Sequence, residues 1–578
     1  MHFFIGNSAL TIIIFCLTIL ALIKFQNTPH IVFGVSLLVL ITTKLVSTQQ
    51  VLDSFSNIGL LTLIMLMTCS LALEKTTLLR RIARKIITPS YHSTWLRLYI
   101  FTSITSAFLN NTAVVSTLLA PIRNNIHHPA SKLLIPLSYA AILGGTLTLV
   151  GTSTNLIVNS MVIDMGLPPL EFFDFTLIGS IILILGGITL YFLSKYLPTI
   201  AEDKKLATDY FIDMTVMPTS KLIDRSVEGN GLRNLEELFL VEIIRDNRLI
   251  SPVSPNTIVR SNDRLIFSGD ITKIQRLSEF DGLISFAGES GLPMDNLTEV
   301  LIRPESILVG QTLKESGFRA LFDSAVLGIK RDGEKLSGKL GQIELKAGDY
   351  LILATGEDFN TRRNINKNFY LISGAVETEQ VLSGFREMIS VWGFLFVIML
   401  AACKLIPLFN GLLILLAVLI FTGCLSANEI MQRLPRNIWL IIASALLMSN
   451  ALQNSGALNS MNEWLLTNSC SFSPFIGLIT IYFITWLMTE LMTNNAAAAL
   501  IFPVAYGLST SLNIAPEPYI LAVAFGASAS FISPYGYQTN LMVYSAGNYC
   551  LNDFMRIGLP ISIVYGSIVI TMLGLFYL

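Results

Sequence analysis

Two polar stretches, each answered by a second one some forty residues downstream, interrupt runs that are otherwise apolar. The first pair is Ser106-Ala-Phe-Leu-Asn110-Asn111-Thr112, then Gly151-Thr152-Ser153-Thr154-Asn155. Toward the other end stand Thr489-Glu490-Leu-Met-Thr493-Asn494-Asn495, then Gly536-Tyr537-Gln538-Thr539-Asn540. Composition puts these clusters in a membrane. Charged residues make up 13% and hydrophobic residues 52% of the 578, against about 25% charged in a soluble domain. Amides and hydroxyls at that depth are costly unless they pair or line a site. Helix interruptions at corresponding places of two hydrophobic halves are the mark of a repeat-built carrier.

Apolar runs of spanning length occupy about 8–23, 31–46, 57–73, 175–197, 389–404, 409–424, 437–452, 472–488 and 557–577. The runs 96–122 and 489–505 hold the Asn-rich clusters and are expected to be re-entrant hairpins. The run from 133 and the run 519–546 hold Gly151 and Gly536, which permit unwinding, and are expected to be broken helices. No basic stretch precedes the first apolar run, so it reads as a retained span. The six cysteines lack any CxxC spacing and read as embedded hydrophobes. The five histidines form no metal-ligating cluster. A net charge of -1 offers nothing to nucleic acid, and no ATPase motif or catalytic constellation marks an enzyme.

Between about 200 and 386 charges become dense and apolar runs short, which marks a soluble insert between membrane halves 1–199 and 387–578. The insert repeats itself. Val241-Glu-Ile-Ile-Arg-Asp246-Asn247 matches Leu327-Gly-Ile-Lys-Arg-Asp332-Gly333, and Asp263-Arg-Leu-Ile266 matches Asp349-Tyr-Leu-Ile352, both 86 residues apart. Asp-Asn and Asp-Gly between such runs predict hairpins, hence two β-rich units near 211–280 and 296–356.

The membrane halves also correspond in order. Asn57-Ile58 matches Asn437-Ile438, Thr154-Asn155 matches Thr539-Asn540, and Phe173…Gly179 matches Phe554…Gly558 with one deletion. Their charges are opposed. Loop 75–97 holds six basic residues (Lys75, Arg80, Arg81, Arg84, Lys85 and Arg97), whereas its counterpart 455–477 holds none. By the positive-inside rule the halves are inverted, the insert is cytoplasmic and the C-terminus lies outside.

Unwound carbonyls and amide oxygens suit Na⁺, while half-helix N-termini and side-chain N–H and O–H groups suit an anion. No Lys or Arg lies within the four clusters, so an anion there is held by dipoles, hydroxyls and co-bound cations. Glu490 is the lone acid beside the second cluster, a candidate for coupling or for a local structural bond. Small polar residues also serve helix packing, but matched recurrence favours a site.

The clusters Asn110-Asn111-Thr112 and Thr493-Asn494-Asn495 resemble the paired Ser-Asn-Thr hairpin tips of the divalent anion:sodium symporter family. Leu149-Val-Gly-Thr-Ser-Thr-Asn155, Ser533-Pro-Tyr-Gly-Tyr-Gln-Thr-Asn540 and Asp553-Phe554 through Gly558-Leu-Pro560 resemble that family's broken helices and following segment. The resemblance implies two sodium sites, one from Ser106, Asn110, Asn111, Gly151 and Asn155, the other from Thr489, Thr493, Asn494, Gly536 and Asn540. It implies a substrate held by Asn110, Asn111, Thr112, Ser153, Thr154, Thr493, Asn494, Asn495, Gln538 and Thr539. It further implies a homodimer in the lipid bilayer of a bacterial inner membrane, with elevator-like movement. Ser153-Thr154 and Gln538-Thr539 replace the Pro-Pro pair of dicarboxylate carriers, and the added hydroxyls resemble the sulfate-type branch.

Gly310-Gln-Thr-Leu-Lys-Glu-Ser-Gly-Phe318 and Ile343-Glu-Leu-Lys-Ala-Gly-Asp349 resemble RCK-C modules of potassium-channel regulators. The resemblance implies either a small-molecule sensor or a dimer-bracing cap. The expected whole is a polytopic α-helical inverted-repeat transporter with two re-entrant hairpins, two broken helices and a cytoplasmic RCK-C-like α/β insert. Its expected activity is Na⁺-coupled uptake of sulfate. Alternatives are di- or tricarboxylate uptake, proton coupling, a channel gated by the insert, or an anion sensor. A channel would require a carbonyl filter of the TVGYG kind, which the sequence lacks.

Overall fold

Helices that are apolar all round can bury one stripe against neighbours and leave the rest to lipid. Asn7–Lys24 does this: Phe15 and Leu22 are buried while Leu17 and Leu20 are exposed. In this computed structural model six described helices are long and apolar enough to cross a membrane: Asn7–Lys24, Thr48–Glu74, Thr176–Tyr196, Phe385–Ala402, Pro474–Leu491 and Leu551–Tyr577. The described residues run from 6 to 577 apart from short stretches, the longest being 77–84, 200–208, 286–296, 374–381 and 459–472. Arg80, Arg81, Arg84 and Cys470 lie outside the described residues.

Matching contacts recur in the two halves. Ile58–Glu74 packs on Leu408–Phe421, and Pro29–Thr42 packs on Arg436–Asn454. Short helices Thr48–Phe55 and Ala427–Arg433 each open on a capping box, Ser47 with Gln50 and Ser426 with Glu429, 379 residues apart. Gly179 and Gly558, also 379 apart, let their helices touch the carbonyls of Thr146 and Phe531. Phe175 and Phe554 share that offset and are both fully buried. Phe175, not the 56% exposed Phe173, is therefore the counterpart of Phe554, and no deletion is needed. Asn57 caps its helix by accepting from the amides of Gly59 and Leu60, whereas Asn437 lies inside Arg436–Asn454 and caps nothing.

All four polar clusters fall at helix breaks. Tyr91–Ser106 and Asn111–Arg123 are the arms of the first hairpin. Leu134–Gly145 and Ser153–Asp164 flank the first broken segment. The second hairpin has arms Pro474–Leu491 and Asn494–Ser511; its first arm takes in the run 472–488 and is itself long and apolar enough to cross a membrane. Glu517–Ser528 and Gln538–Ala546 flank the second break.

The insert holds two five-stranded antiparallel sheets. The first comprises β1 (Asp209–Val216), β2 (Leu238–Arg245), β3 (Arg248–Ile250), β4 (Arg264–Asp270) and β5 (Leu283–Ser285), in the order β3-β2-β4-β1-β5. The second comprises β6 (Leu297–Ile302), β7 (Ser324–Arg331), β8 (Glu334–Lys335), β9 (Tyr350–Thr355) and β10 (Phe369–Ser373), in the order β10-β6-β9-β7-β8. Strand for strand the two orders are the same. Each sheet carries a bidentate ion pair at 2.7 Å, Arg245 with Asp263 and Arg331 with Asp349, the same 86 residues apart. The aspartates are buried, and each guanidinium also donates to a carbonyl, Ile258 or Glu344. The tight connections Asp246-Asn247 and Asp332-Gly333 lie outside the described residues, although the strands on either side of each pair as a hairpin. β5 and β10 carry the sheets beyond the expected unit ends at 280 and 356.

Candidate functional site

A break in a membrane helix leaves carbonyls on one side and amides on the other without intrahelical partners. At the first break, the Ser106 hydroxyl bonds to the Asn111 Oδ1 and to the Ala141 carbonyl. A Cβ on Gly145 would stand 2.8 Å from Asn111 Oδ1 and 3.2 Å from the Gly151 carbonyl oxygen. One on Gly151 would stand 2.5 Å from the Gly145 carbonyl oxygen. Only because both positions are glycine do these oxygens converge. Asn155 Nδ2 holds the break by donating to the Thr148 carbonyl at 3.0 Å.

The second break repeats the plan. Thr489 Oγ1 donates to the Ala527 carbonyl at 2.8 Å, as Ser106 does to Ala141. Asn540 Nδ2 donates to the Ser530 carbonyl at 2.8 Å. A Cβ on Gly536 would collide with Ser530 Oγ and the Thr489 carbonyl oxygen. Ser530 Oγ and Thr493 Oγ1 are buried with no hydrogen-bond partner among the described residues. The orphaned Ser530 hydroxyl and the Thr489 carbonyl, which converge on Gly536, are oxygen ligands of the kind a hard cation of low charge takes.

Hydrogen bonds cross between the halves. Tyr537 Oη bonds Asn111 Nδ2 at 2.7 Å and Thr152 Oγ1 at 3.1 Å. Ser153 donates to Asn495 Oδ1 at 2.9 Å, Thr154 pairs with Ser528 at 2.8 Å, and Thr112 donates to Gln538 Oε1 at 3.2 Å. Ser138 donates to Thr539 at 2.9 Å and to Asn540 at 2.7 Å. Thr154 and Thr539, expected to touch substrate, are thus buried in bonds that join the halves. Asn110, Thr112, Ser153, Asn494, Asn495 and Gln538 are the more open members. Asn110 also caps the distal arm, its Oδ1 accepting from the Thr112 amide.

Four half-helices start at the breaks, at Asn111, Ser153, Asn494 and Gln538. Thr152, Thr493 and Tyr537, which precede three of them, make no side-chain capping bond. The first amides of these half-helices thus carry no side-chain cap, and positive dipole ends of this kind can attract an anion without Lys or Arg. A small cavity of about 20 Å³ touches Asn110, Gly151, Ser153 and, from the neighbouring helix, Ser70 and Met67.

Sequence reading missed Tyr537, Ser138, Ser528, Ser530 and Gly145. A lone Ser138 in the apolar run 134–145 and the small-polar run Ala527-Ser528-Ala529-Ser530 ahead of Gly536 were the available signals. Glu490 accepts from the amides of Phe531 and Ile532 at 3.0 Å each and Ser533 at 2.8 Å. It holds the second break in place, as Thr148 does in the first by donating to Ala107 and accepting from the Gly151 amide.

The pattern of a family described as citrate transporter matches residues 12–526. The chain belongs to the citrate transporter family. It is a multi-pass membrane transporter. Among its relatives is a Chlamydomonas reinhardtii protein named for the sulfur deprivation response, 31% identical over 83% of this chain and 86% of its own length. An uncharacterized transporter of Synechocystis is 28% identical over 96% of this chain and 94% of its own length. Sodium/sulfate cotransporter 2 of C. reinhardtii is 28% identical over 62% of this chain and 42% of its own length.

Proposed function

We propose that this citrate transporter family member takes up a divalent anion, sulfate first among the candidates, driven by Na⁺. The observation that carries the proposal is the duplicated oxygen cradle. One is built from Ser106, Asn111, Gly145 and Gly151, the other from Thr489, Ser530 and Gly536, with a further unpartnered hydroxyl on Thr493 at the hairpin tip and with Asn155 and Asn540 bracing the two breaks. On this reading the uncapped half-helices, the amides of Asn110, Asn494, Asn495 and Gln538 and the hydroxyls of Thr112 and Ser153 would face the substrate. Two bound cations would complete the charge balance for a dianion. The relative named a sodium/sulfate cotransporter supports this choice, and the family's description keeps citrate as the competing substrate.

On this reading the halves are an inverted repeat, supported by the recurring contacts at an offset of 379 and by the opposed loop charges. The hairpins and broken helices would move as one elevator body against the remaining helices. The insert would be a pair of RCK-C-like units on the cytoplasmic side of a bacterial inner membrane, with the C-terminus outside and two copies forming a dimer.

The test is labelled uptake into proteoliposomes, comparing sulfate, succinate and citrate with and without an inward Na⁺ gradient. Sulfate uptake that requires the gradient is expected. Asn111→Ala and Asn494→Ala should each lower it by roughly 10- to 100-fold, the cost of one lost contact to a charged partner. Wild-type rates in both variants would refute the site.

A further inference from the structure

The second insert unit touches the transport core at three places. Its turn Arg303-Pro304-Glu305-Ser306 is held rigid: Ser306 Oγ and the Ile307 amide donate to Oδ1 of the buried Asn368 at 2.9 and 3.0 Å. From that turn the Glu305 carboxylate accepts from Gln538 Nε2 at 2.5 Å. The same Gln538 accepts from Thr112 at the first hairpin tip. A second turn brings Gly348, at φ +84°, so close to the half-helix Gln538–Ala546 that a Cβ would meet Leu541 and Ser545 at 3.1 Å. Third, Arg123 ends the distal arm of the first hairpin and donates to Tyr350 Oη, which in turn donates to Glu299. The Arg123 guanidinium also lies 3.7 Å from Glu299 and 4.8 Å from the Tyr350 ring centre, and both charged side chains are largely shielded.

The chain leaving this unit is tied elsewhere. The Leu382 amide donates to the Lys75 carbonyl at 2.9 Å. Lys75 itself is buried in an ion pair with Glu429 at 3.0 Å, at the end of the long helix of the first half. The unit is therefore fastened both to the flanking helices and to the hairpin and broken helix that carry the candidate site.

We propose that the second insert unit is an intramolecular stop, and that Glu305 is a specificity-determining residue which holds Gln538 where an anion would otherwise bind. The proposal rests on the anion-transport reading above. A carboxylate on a fixed turn is itself an anion, at high effective concentration, competing for a side-chain amide of the site. The Arg123–Tyr350–Glu299 cluster keeps the stop seated. An anion leaving toward the insert must displace Glu305, and one arriving from the insert side meets it as a competitor. From the opposite face Glu305 offers no competition.

The test is a charge series in the full-length protein, Glu305→Gln, Glu305→Ala and Glu305→Lys, with sulfate flux measured in oriented vesicles from each face. On the insert-facing side the half-saturation concentration should fall on the order of fivefold in E305A, less in E305Q and further in E305K. From the opposite face it should not move. Arg123→Ala, which unseats the stop, should raise the maximal rate and lower half-saturation from the insert-facing side only, a one-sided effect that general destabilisation would not give. Because Glu305 lies on an exposed turn, its variants keep the core of the unit. Wild-type half-saturation throughout the series, or equal shifts from both faces, would overturn the stop alone. A wild-type protein that moves none of the three anions would overturn the transport reading and the stop together.

Discussion

Glu490→Ala should destabilise the protein through the backbone it leaves behind. The carboxylate satisfies three consecutive amides, those of Phe531, Ile532 and Ser533, where the chain unwinds between two half-helices. A buried amide left unmade costs about 1–3 kcal/mol, more against a charged acceptor. Three half-buried amides, some regaining water, put the loss at about 3–6 kcal/mol. Glu490→Gln keeps one acceptor oxygen, the one serving Phe531 and Ile532, and loses the Ser533 bond, at about 1–3 kcal/mol. Thermal unfolding of the purified full chain in detergent should therefore rank E490A below E490Q and E490Q below wild type. Unfolding of such a protein is irreversible, so the order at one scan rate is the datum. An E490A protein as stable as wild type would refute the bracing role. An E490Q protein of full stability that has lost its sodium dependence would reassign the residue to ion coupling.

Gly558→Ala drives a methyl group into the Phe531 carbonyl and must shift the second break; sodium-driven uptake should vanish, whereas Gly34→Ala, with only Leu440 at 3.5 Å, should transport normally. Equal activity in the two would show that the break tolerates displacement. Asp349→Ala strands Arg331 and removes a paired, buried carboxylate, a loss of about 3 kcal/mol. Limited proteolysis of the full chain should then cut within 296–373 first, and Asp263→Ala should move the early cuts to 209–285 instead.

The breaks were legible because they need residues that a lipid-facing helix does not. Asn110-Asn111, Gly151, Thr493-Asn494 and Gly536 all fall at or beside helix ends. The insert's repeat was legible for a similar reason, since Asp263 and Asp349 are the buried partners of Arg245 and Arg331. The short helices opened by Ser47 and Ser426 were missed, although Ser-x-x-Gln and Ser-x-x-Glu announce such starts. Hydropathy alone set the run 472–488 apart from the hairpin expected at 489–505, although one helix, Pro474–Leu491, carries the apolar run straight into Thr489 and Glu490. What sequence could not give is which polar groups face each other. Thr154 and Thr539 read like substrate ligands, yet they meet Ser528 and Ser138 from the opposite half. The partnership of Glu305 with Gln538 joins two regions of contrary composition, and no local pattern signals it.

The crossed hydrogen bonds also set a schedule for biogenesis. Asn111 waits for Tyr537, which lies 426 residues later in the chain. Ser138 waits for Thr539 and Asn540, and Thr154 for Ser528, over comparable separations. At about 5–20 residues per second of synthesis, the first hairpin spends roughly 20–85 s in the membrane before its closing partners exist. During that interval its amides and hydroxyls face lipid, water or the insertion machinery rather than each other. The nascent first half is thus an unfinished product whose polar tip must be sheltered by something else until the last hundred residues arrive.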